Sequence, residues 1–207
     1  MIVEKLEVGP FASNCYITCA ESNKEAIIID PGAEPNTILK RVKDLGVEVK
    51  LIVLTHSHID HIGAVKEVKE ATAAELAIHA NDAKSLQTSQ PLGAVFNLSI
   101  QAPPPPERLL KDGDSIDISG LHFLVLHTPG HTPGGISILG EGVVFTGDTL
   151  FNFGIGRFDM PGGNGSQLMN SIITKLMVLP DNTVVYPGHG PETTIGTERR
   201  GNPFLRG

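Results

Sequence analysis

The chain has 207 residues, of which 40% are hydrophobic and 19% charged, an ordinary globular balance with enough apolar material for a good core. A net charge of −7 argues against nucleic acid as a partner. No apolar run approaches the roughly 20 residues of a membrane span, and the N-terminus carries no cleavable signal pattern, which together predict a cytoplasmic protein acting on a small molecule.

In chain order, strand patterns fall at 2–8, 14–19, 25–30 and 50–54. A helix is predicted from Asn36 to Leu45, started by Pro35, stopped by Gly46, with Leu39, Val42 and Leu45 on one face. A second helix is predicted from about Gly63 to Ala71, a short buried strand at 75–79, and a helical stretch near Asn81–Leu86. Residues 87–107 read as a lid or a surface crossing, with a stiff proline run at Pro103–Pro106. Strands at 115–118, 121–127, 135–139 and 142–146 follow as hairpins with glycine-containing turns. A helix from Gln167 to Leu179 is capped by Ser166 and stopped by Pro180, with Leu168, Ile172, Leu176 and Leu179 on its buried face. Thr183–Tyr186 is the last strand. Two strand-rich halves interrupted by helices predict two sheets packed face to face with helices outside, in one domain over 1–207.

Chemistry concentrates in T-H-S-H-I-D-H at 55–61, directly after the apolar segment Lys50–Leu54. Imidazole and carboxylate together suit zinc, and also iron or manganese. His56, His58, Asp60 and His61 are too tightly spaced to serve one ion, so His56 and His58 are assigned to one metal and Asp60 and His61 to a second. The i, i+2 spacing reads as a strand end opening into a loop. Three further positions follow apolar runs and lie beside Gly or Pro: His131 in T-P-G-H-T-P-G, Asp148 in F-T-G-D-T-L and His189 in Y-P-G-H-G-P. Strand ends are where backbone stops pairing and side chains gather for chemistry.

With these residues in view, the chain resembles the metallo-β-lactamase-fold hydrolases, in particular short glyoxalase-II-like members. The resemblance runs from Asn14-Cys15-Tyr16 through Asp30-Pro31-Gly32 to G-H-G-P and the terminal N-P-F-L. It implies an αββα sandwich of two mixed β-sheets. It also implies that His56, His58 and His131 hold one cation, that Asp60, His61 and His189 hold another, and that Asp148 bridges them, with Asp30 as outer support. Zinc is the first choice of metal. The chemistry implied is attack on a thioester carbonyl by a water that the cations ionise near neutral pH, with Asp60 orienting its remaining proton. Persulfide oxidation at a single iron held by His56, His131 and Asp148, and lactone hydrolysis, are the alternatives.

Other residues carry less. Arg157, in G-I-G-R-F-D, is a substrate-contact candidate or a local ion pair with Asp159. His79 and His122 read as structural or surface residues, and His127 as structural or as an outer support of His131. Cys15 and Cys19, about 13 Å apart on one strand, cannot form a disulfide and read as buried thiols. Asp148 stands where the main di-zinc β-lactamases carry Cys, which argues against antibiotic hydrolysis. Only 18 residues follow His189, too few for the helical domain with which full-length glyoxalase II contacts glutathione. Arg199 and Arg200 read as a solvated pair.

Overall fold

A computed structural model of the chain describes residues 1–22, 24–87 and 101–206. Residues 88–100, most of the segment assigned to a lid or surface crossing, lie outside the described residues. The first half contains β1 (Ile2–Val8), β2 (Ser13–Cys19), β3 (Glu25–Ile29), α1 (Pro35–Leu45), β4 (Glu48–Leu54), α2 (Ile59–Ile62), α3 (Val65–Thr72), β5 (Glu75–His79), α4 (Ala80–Ala83) and β6 (Arg108–Leu110). The second contains β7 (Ser115–Ile118), β8 (Leu121–His127), β9 (Ile136–Gly140), β10 (Val143–Gly147), β11 (Leu150–Phe151), β12 (Gly154–Ile155), α5 (Gly165–Ser171), β13 (Val184–Pro187), β14 (Thr193–Thr194) and α6 (Ile195–Gly201).

These strands build two six-stranded mixed sheets, ordered β1-β2-β3-β4-β5-β6 and β14-β13-β10-β9-β8-β7, with β11 and β12 as a separate small pair. The predicted αββα sandwich is the fold. Period-2 alternation explains how each strand serves two layers. In β3, Ile27 and Ile29 point between the sheets, while Ala26 and Ile28 face the helices. A register shift between β3 and β4 skips Lys50, so Val49, Ile52 and Leu54 share the helix-side face although their spacing is uneven.

Between the sheets, Tyr16, Ile29 and Val53 meet Phe123, Val125, Ile138 and Phe145. Tyr16 and Phe145 are edge-on at 5.2 Å, and Phe145 stacks on Tyr186 at 5.3 Å. The outer face of the first sheet is covered by α1 and α3 through Ile38, Val42, Val65 and Val68. Leu168, Ile172 and Leu176 cover the second through contacts with Val144 and Val185. Cys15 and Cys19 are free buried thiols on the first sheet's helix side, and burial pushes the Cys15 thiol up.

Helix ends depart from the sequence reading in instructive ways. The helix predicted from about Gly63 is α3, which starts at Val65, and a separate single turn, α2, precedes it, so the metal-type residues Asp60 and His61 sit inside a helical turn rather than a loop. The helix predicted from Gln167 starts two residues earlier, because Asn164 rather than Ser166 caps it by accepting a hydrogen bond from the Gln167 N–H at 3.0 Å. Its second half, Ile172–Leu176, is a π turn. The run Ile172-Ile173-Thr174 is β-branched and crowds an α-helix, and the wider turn still buries Leu168, Ile172 and Leu176 together. The short strands β6, β11, β12 and β14 and the helix α6 are too brief or too polar for a periodic signal and are seen only in the structure. Among the described residues, no helix is long and apolar enough to cross a membrane.

Candidate metal centre

Strands β8, β10 and β13 run in one direction in the second sheet, through the antiparallel β8–β9 and β9–β10 pairs and the parallel β10–β13 pair. Their carboxyl ends deliver His131, Asp148 and His189 to one edge, where the carboxyl end of β4 delivers Thr55–His61. The two sheets are tied here: Asn14 N–H donates to Gly188 O at 2.7 Å and Ile136 N–H to Thr55 O at 2.9 Å.

All seven ligand-type residues predicted from sequence converge at this edge. One group is His56, His58 and His131, and another is Asp60, His61 and His189; in each, the candidate ligand atoms lie within 4.8 Å of one another. His131 Nε2 is 2.8 Å from His58 Nδ1, and His61 Nε2 is 3.3 Å from His189 Nε2. Asp148 faces both groups: Oδ2 is 3.5 Å from His131 Nε2, and Oδ1 is 3.4 Å from His61 Nε2. Asp60 Oδ2 lies 3.2 Å from His189 Nε2. Gly188 permits the approach, since a Cβ there would collide with Asp148 Oδ1 and His61.

The surrounding bonds aim the rings. Nδ1 of His131 donates to Arg157 O at 2.7 Å and Nδ1 of His189 to Phe11 O at 3.1 Å. Nδ1 of His61 faces Asp30 Oδ2 at 3.0 Å, and Nδ1 of His56 faces Thr55 Oγ1 at 3.1 Å. In each of these four rings the bond at Nδ1 leaves Nε2 turned to the centre. Asp30 takes a left-handed backbone conformation (φ 51°) and also accepts from Thr55 N–H at 2.7 Å and Thr55 Oγ1 at 2.6 Å.

Burial, reinforced by neighbouring imidazoles, holds His56 well below the ordinary histidine pKa and His58 at about 4. Both are therefore neutral, with lone pairs to offer. Burial opposes charge on His61 as well, but Asp148, Asp30 and Asp60 raise it to about 10. His189 is raised against burial by Asp60 and Asp148, and Asp60 is lowered against burial by His189 and His61. Among the described residues, His56 Nε2 and Asp148 Oδ1 are buried with no hydrogen-bond partner. Orphaned donors of this kind, converging from imidazole and carboxylate, fit divalent cations.

Arg157 makes the local ion pair with Asp159, one of its two sequence readings, and it adds a contact the sequence does not suggest. Its carbonyl holds His131, while its exposed guanidinium pairs with Asp159 at 3.0 Å. His122 is exposed and bonds Asp117; His79 is buried and stacks on His127 at 4.1 Å. His127 donates to Pro133 O at 3.0 Å, so it fixes the loop bearing His131 rather than the ring itself. Arg199 and Arg200 are exposed, as expected, but both also engage Asp181, and Arg199 donates to Met177 O and Leu179 O, stapling α6 to the preceding helix. The sequence reading missed Thr55 and Phe11, which act through a hydroxyl next to a ligand-type residue and through a carbonyl. Asn14 and Tyr16 belong to a recognised motif, and the structure supplies their task. Asn14 Nδ2 donates to Pro187 O and Gly190 O, both at 2.9 Å, and Tyr16 OH to Pro187 O at 2.7 Å, gripping the turn that presents His189.

The chain is similar to known proteins over its whole length. A hydroxyacylglutathione hydrolase, GloC, of Haemophilus influenzae is 40% identical, covering 99% of this chain and 98% of that protein. The crystal structure of the BLEG-1 B3 metallo-beta-lactamase superposes with a TM-score of 0.93 at 37% identity, covering 100% of both chains. That of TTHA1623 in a di-iron-bound form superposes at 0.89 with 38% identity, covering 98% of this chain and 100% of that one. The profile of the metallo-beta-lactamase superfamily matches residues 8–189. The chain is therefore a member of the metallo-β-lactamase superfamily, with a His/Asp centre suited to divalent metal ions at the edge of its sandwich.

Proposed function

We propose that this enzyme hydrolyses a small thioester with two divalent cations, zinc in the first instance. His56, His58 and His131 hold one, Asp60, His61 and His189 the other, and Asp148 reaches both. The observation that carries this reading is two sets of converging ligand-type atoms with no residue in common, His56-His58-His131 and Asp60-His61-His189, with the Asp148 oxygens 3.4 and 3.5 Å from one member of each. Bound cations lower the pKa of water and polarise a carbonyl, which supplies both nucleophile and electrophile without a Ser or Cys.

The chain's own residues do the rest. Asp60 Oδ2, beside His189 Nε2 and kept ionised, is placed to hold and orient a proton at the centre. The carbonyls of Arg157 and Phe11 keep His131 and His189 from turning away. The Arg157 guanidinium, exposed near His58, is the candidate cation for orienting a substrate. A thioester suits this centre because thiolate leaves readily, and the similarity to a hydroxyacylglutathione hydrolase supports that class. We place the whole reaction within this one sandwich.

Similarity to a di-iron-bound structure supports a second metal choice, iron at the same residues. The test is elemental analysis of protein purified without added metal, followed by assays of metal-defined enzyme. Substrates should include S-lactoylglutathione, truncated thioesters, a lactone, a β-lactam and glutathione persulfide. Two cations per chain with thioester turnover is the expected result. One iron per chain, oxygen consumption with the persulfide and no thioester turnover would replace the reading by persulfide oxidation. Turnover of the β-lactam alone would replace it by antibiotic hydrolysis.

A further inference from the structure

We propose that Asp82 is a positioning residue: its buried carboxylate sets the spacing between the loop bearing His56 and His58 and the loop bearing His131, and thereby the cation affinity of that group. The inference rests on the two-cation reading above. Asp82 lies in the single turn α4, after β5, and is 1% exposed. It belongs to none of the ligand-type groups at the centre.

One oxygen, Oδ2, accepts from Ser57 N–H at 3.2 Å and from Ser57 Oγ at 3.3 Å. Ser57 stands between His56 and His58. The other oxygen, Oδ1, accepts from Gly134 N–H at 2.6 Å, three residues after His131. A single carboxylate thus spans loops that belong to different sheets. The Pro133–Gly134 peptide is held from its other side too, since Pro133 O accepts from His127 Nε2 at 3.0 Å and Asn81 Nδ2 at 3.3 Å. Position 134 has to be glycine for this contact. A Cβ there would lie 2.6 Å from Asp82 N and Oδ1 and 2.7 Å from its Cβ.

The bond from Gly134 N–H is short and the two from Ser57 are longer, and a buried carboxylate that loses these partners is costly, so the two loops cannot slide independently while Asp82 stays fully bonded. A nearby residue that orients ligands without touching the metal typically changes metal affinity by about 10–100-fold. Asp82→Asn keeps an acceptor for Gly134 N–H but turns an amide donor toward the Ser57 N–H. Asp82→Ala removes all three bonds.

The test is competition titration with Zn²⁺ against a chelator, on metal-free wild type, Asp82→Asn and Asp82→Ala, with circular dichroism confirming the fold. Wild type should bind two ions. The variants should lose affinity for one ion by about 10–100-fold and keep the other, held by Asp60, His61 and His189, near the wild-type value. Ser57→Ala, which removes only the 3.3 Å hydroxyl bond, should give a smaller loss at the same ion. Folded variants that bind both ions as wild type does would overturn the inference. So would loss of fold in both Asp82 variants, which would make the residue one of global stability. Equal weakening of both ions would overturn it as well. Failure of wild type to bind two ions would instead sink the underlying two-cation reading.

Discussion

Asp30 Oδ2 lies 3.0 Å from Nδ1 of His61, and both side chains are fully enclosed, at 2% and 0% exposure. This places a carboxylate behind an imidazole whose other nitrogen faces the centre, an arrangement that fixes ring orientation and raises ligand basicity. Asp30 is also the acceptor for both polar groups of Thr55. One residue therefore braces the β4 end from behind while it aims His61.

Replacing Asp30 by Ala should cost stability as well as function. It strands Thr55 N–H and Thr55 Oγ1 in the interior, a loss of about 2–3 kcal/mol by the usual worth of hydrogen bonds to charged groups. Asp30→Asn should retain more stability and still lose affinity for the ion at His61. Chemical denaturation and metal titration on the two variants separate these effects.

Asp148→Ala should abolish turnover and reduce bound metal below two ions, since its oxygens face both groups. Gly188→Ala should act on the same carboxylate sterically, because the new Cβ would meet Asp148 Oδ1 and His61 Cε1. Metal content and kcat measured together are the check. Near-normal values for Asp148→Ala would remove the bridging role.

Arg157→Ala should leave metal content and Tm unchanged. The guanidinium is exposed and pairs with Asp159, whereas the part that holds His131 is a carbonyl that every residue has. A rise in KM with kcat preserved is expected if the guanidinium orients substrate. An unchanged KM would end that role.

Stability of the metal-free protein should peak near pH 6.5 and fall on both sides. His56 and His58 have folded pKa values below the ordinary 6.5, so the unfolded chain binds more protons as pH falls from 6.5 toward about 4, and stability drops. His61 has a folded value of about 10, and His189 is also raised. Their contribution is fully present below 6.5 and is lost as pH rises toward 10. Denaturant midpoints of chelator-treated protein across pH 4–10 test this. A flat profile would show that the imidazoles do not titrate as their surroundings dictate.

Phe145→Ala should destabilise the fold by about 3–5 kcal/mol, the usual cost of deleting a buried aromatic ring. The side chain is fully buried between the sheets, against Tyr16 and Tyr186. Tyr16→Phe should be milder, since it removes only the bond to Pro187 O. Urea unfolding of both variants ranks them.

The sequence by itself determined which side chains end the strands, where most strands and helices lie, and that two sheets face one another. Those properties are local: Ile27-Ile28-Ile29 alternates between two apolar layers wherever the strand is placed, and His56 and His58 follow β4 by chain connectivity. Tertiary structure alone decided which atoms of other segments surround them. Arg157 and Phe11 act through carbonyls, and no residue type reveals where a carbonyl points. The α2 turn, the Asn164 cap and the π turn depend on packing that overrides a local pattern. Asp82 is one acidic residue among many in the sequence, and becomes distinctive only because β5 runs beside β4 and its end meets the loop after β8. Contacts between residues 25 and 52 positions apart carry no local periodicity, so only the folded chain displays them.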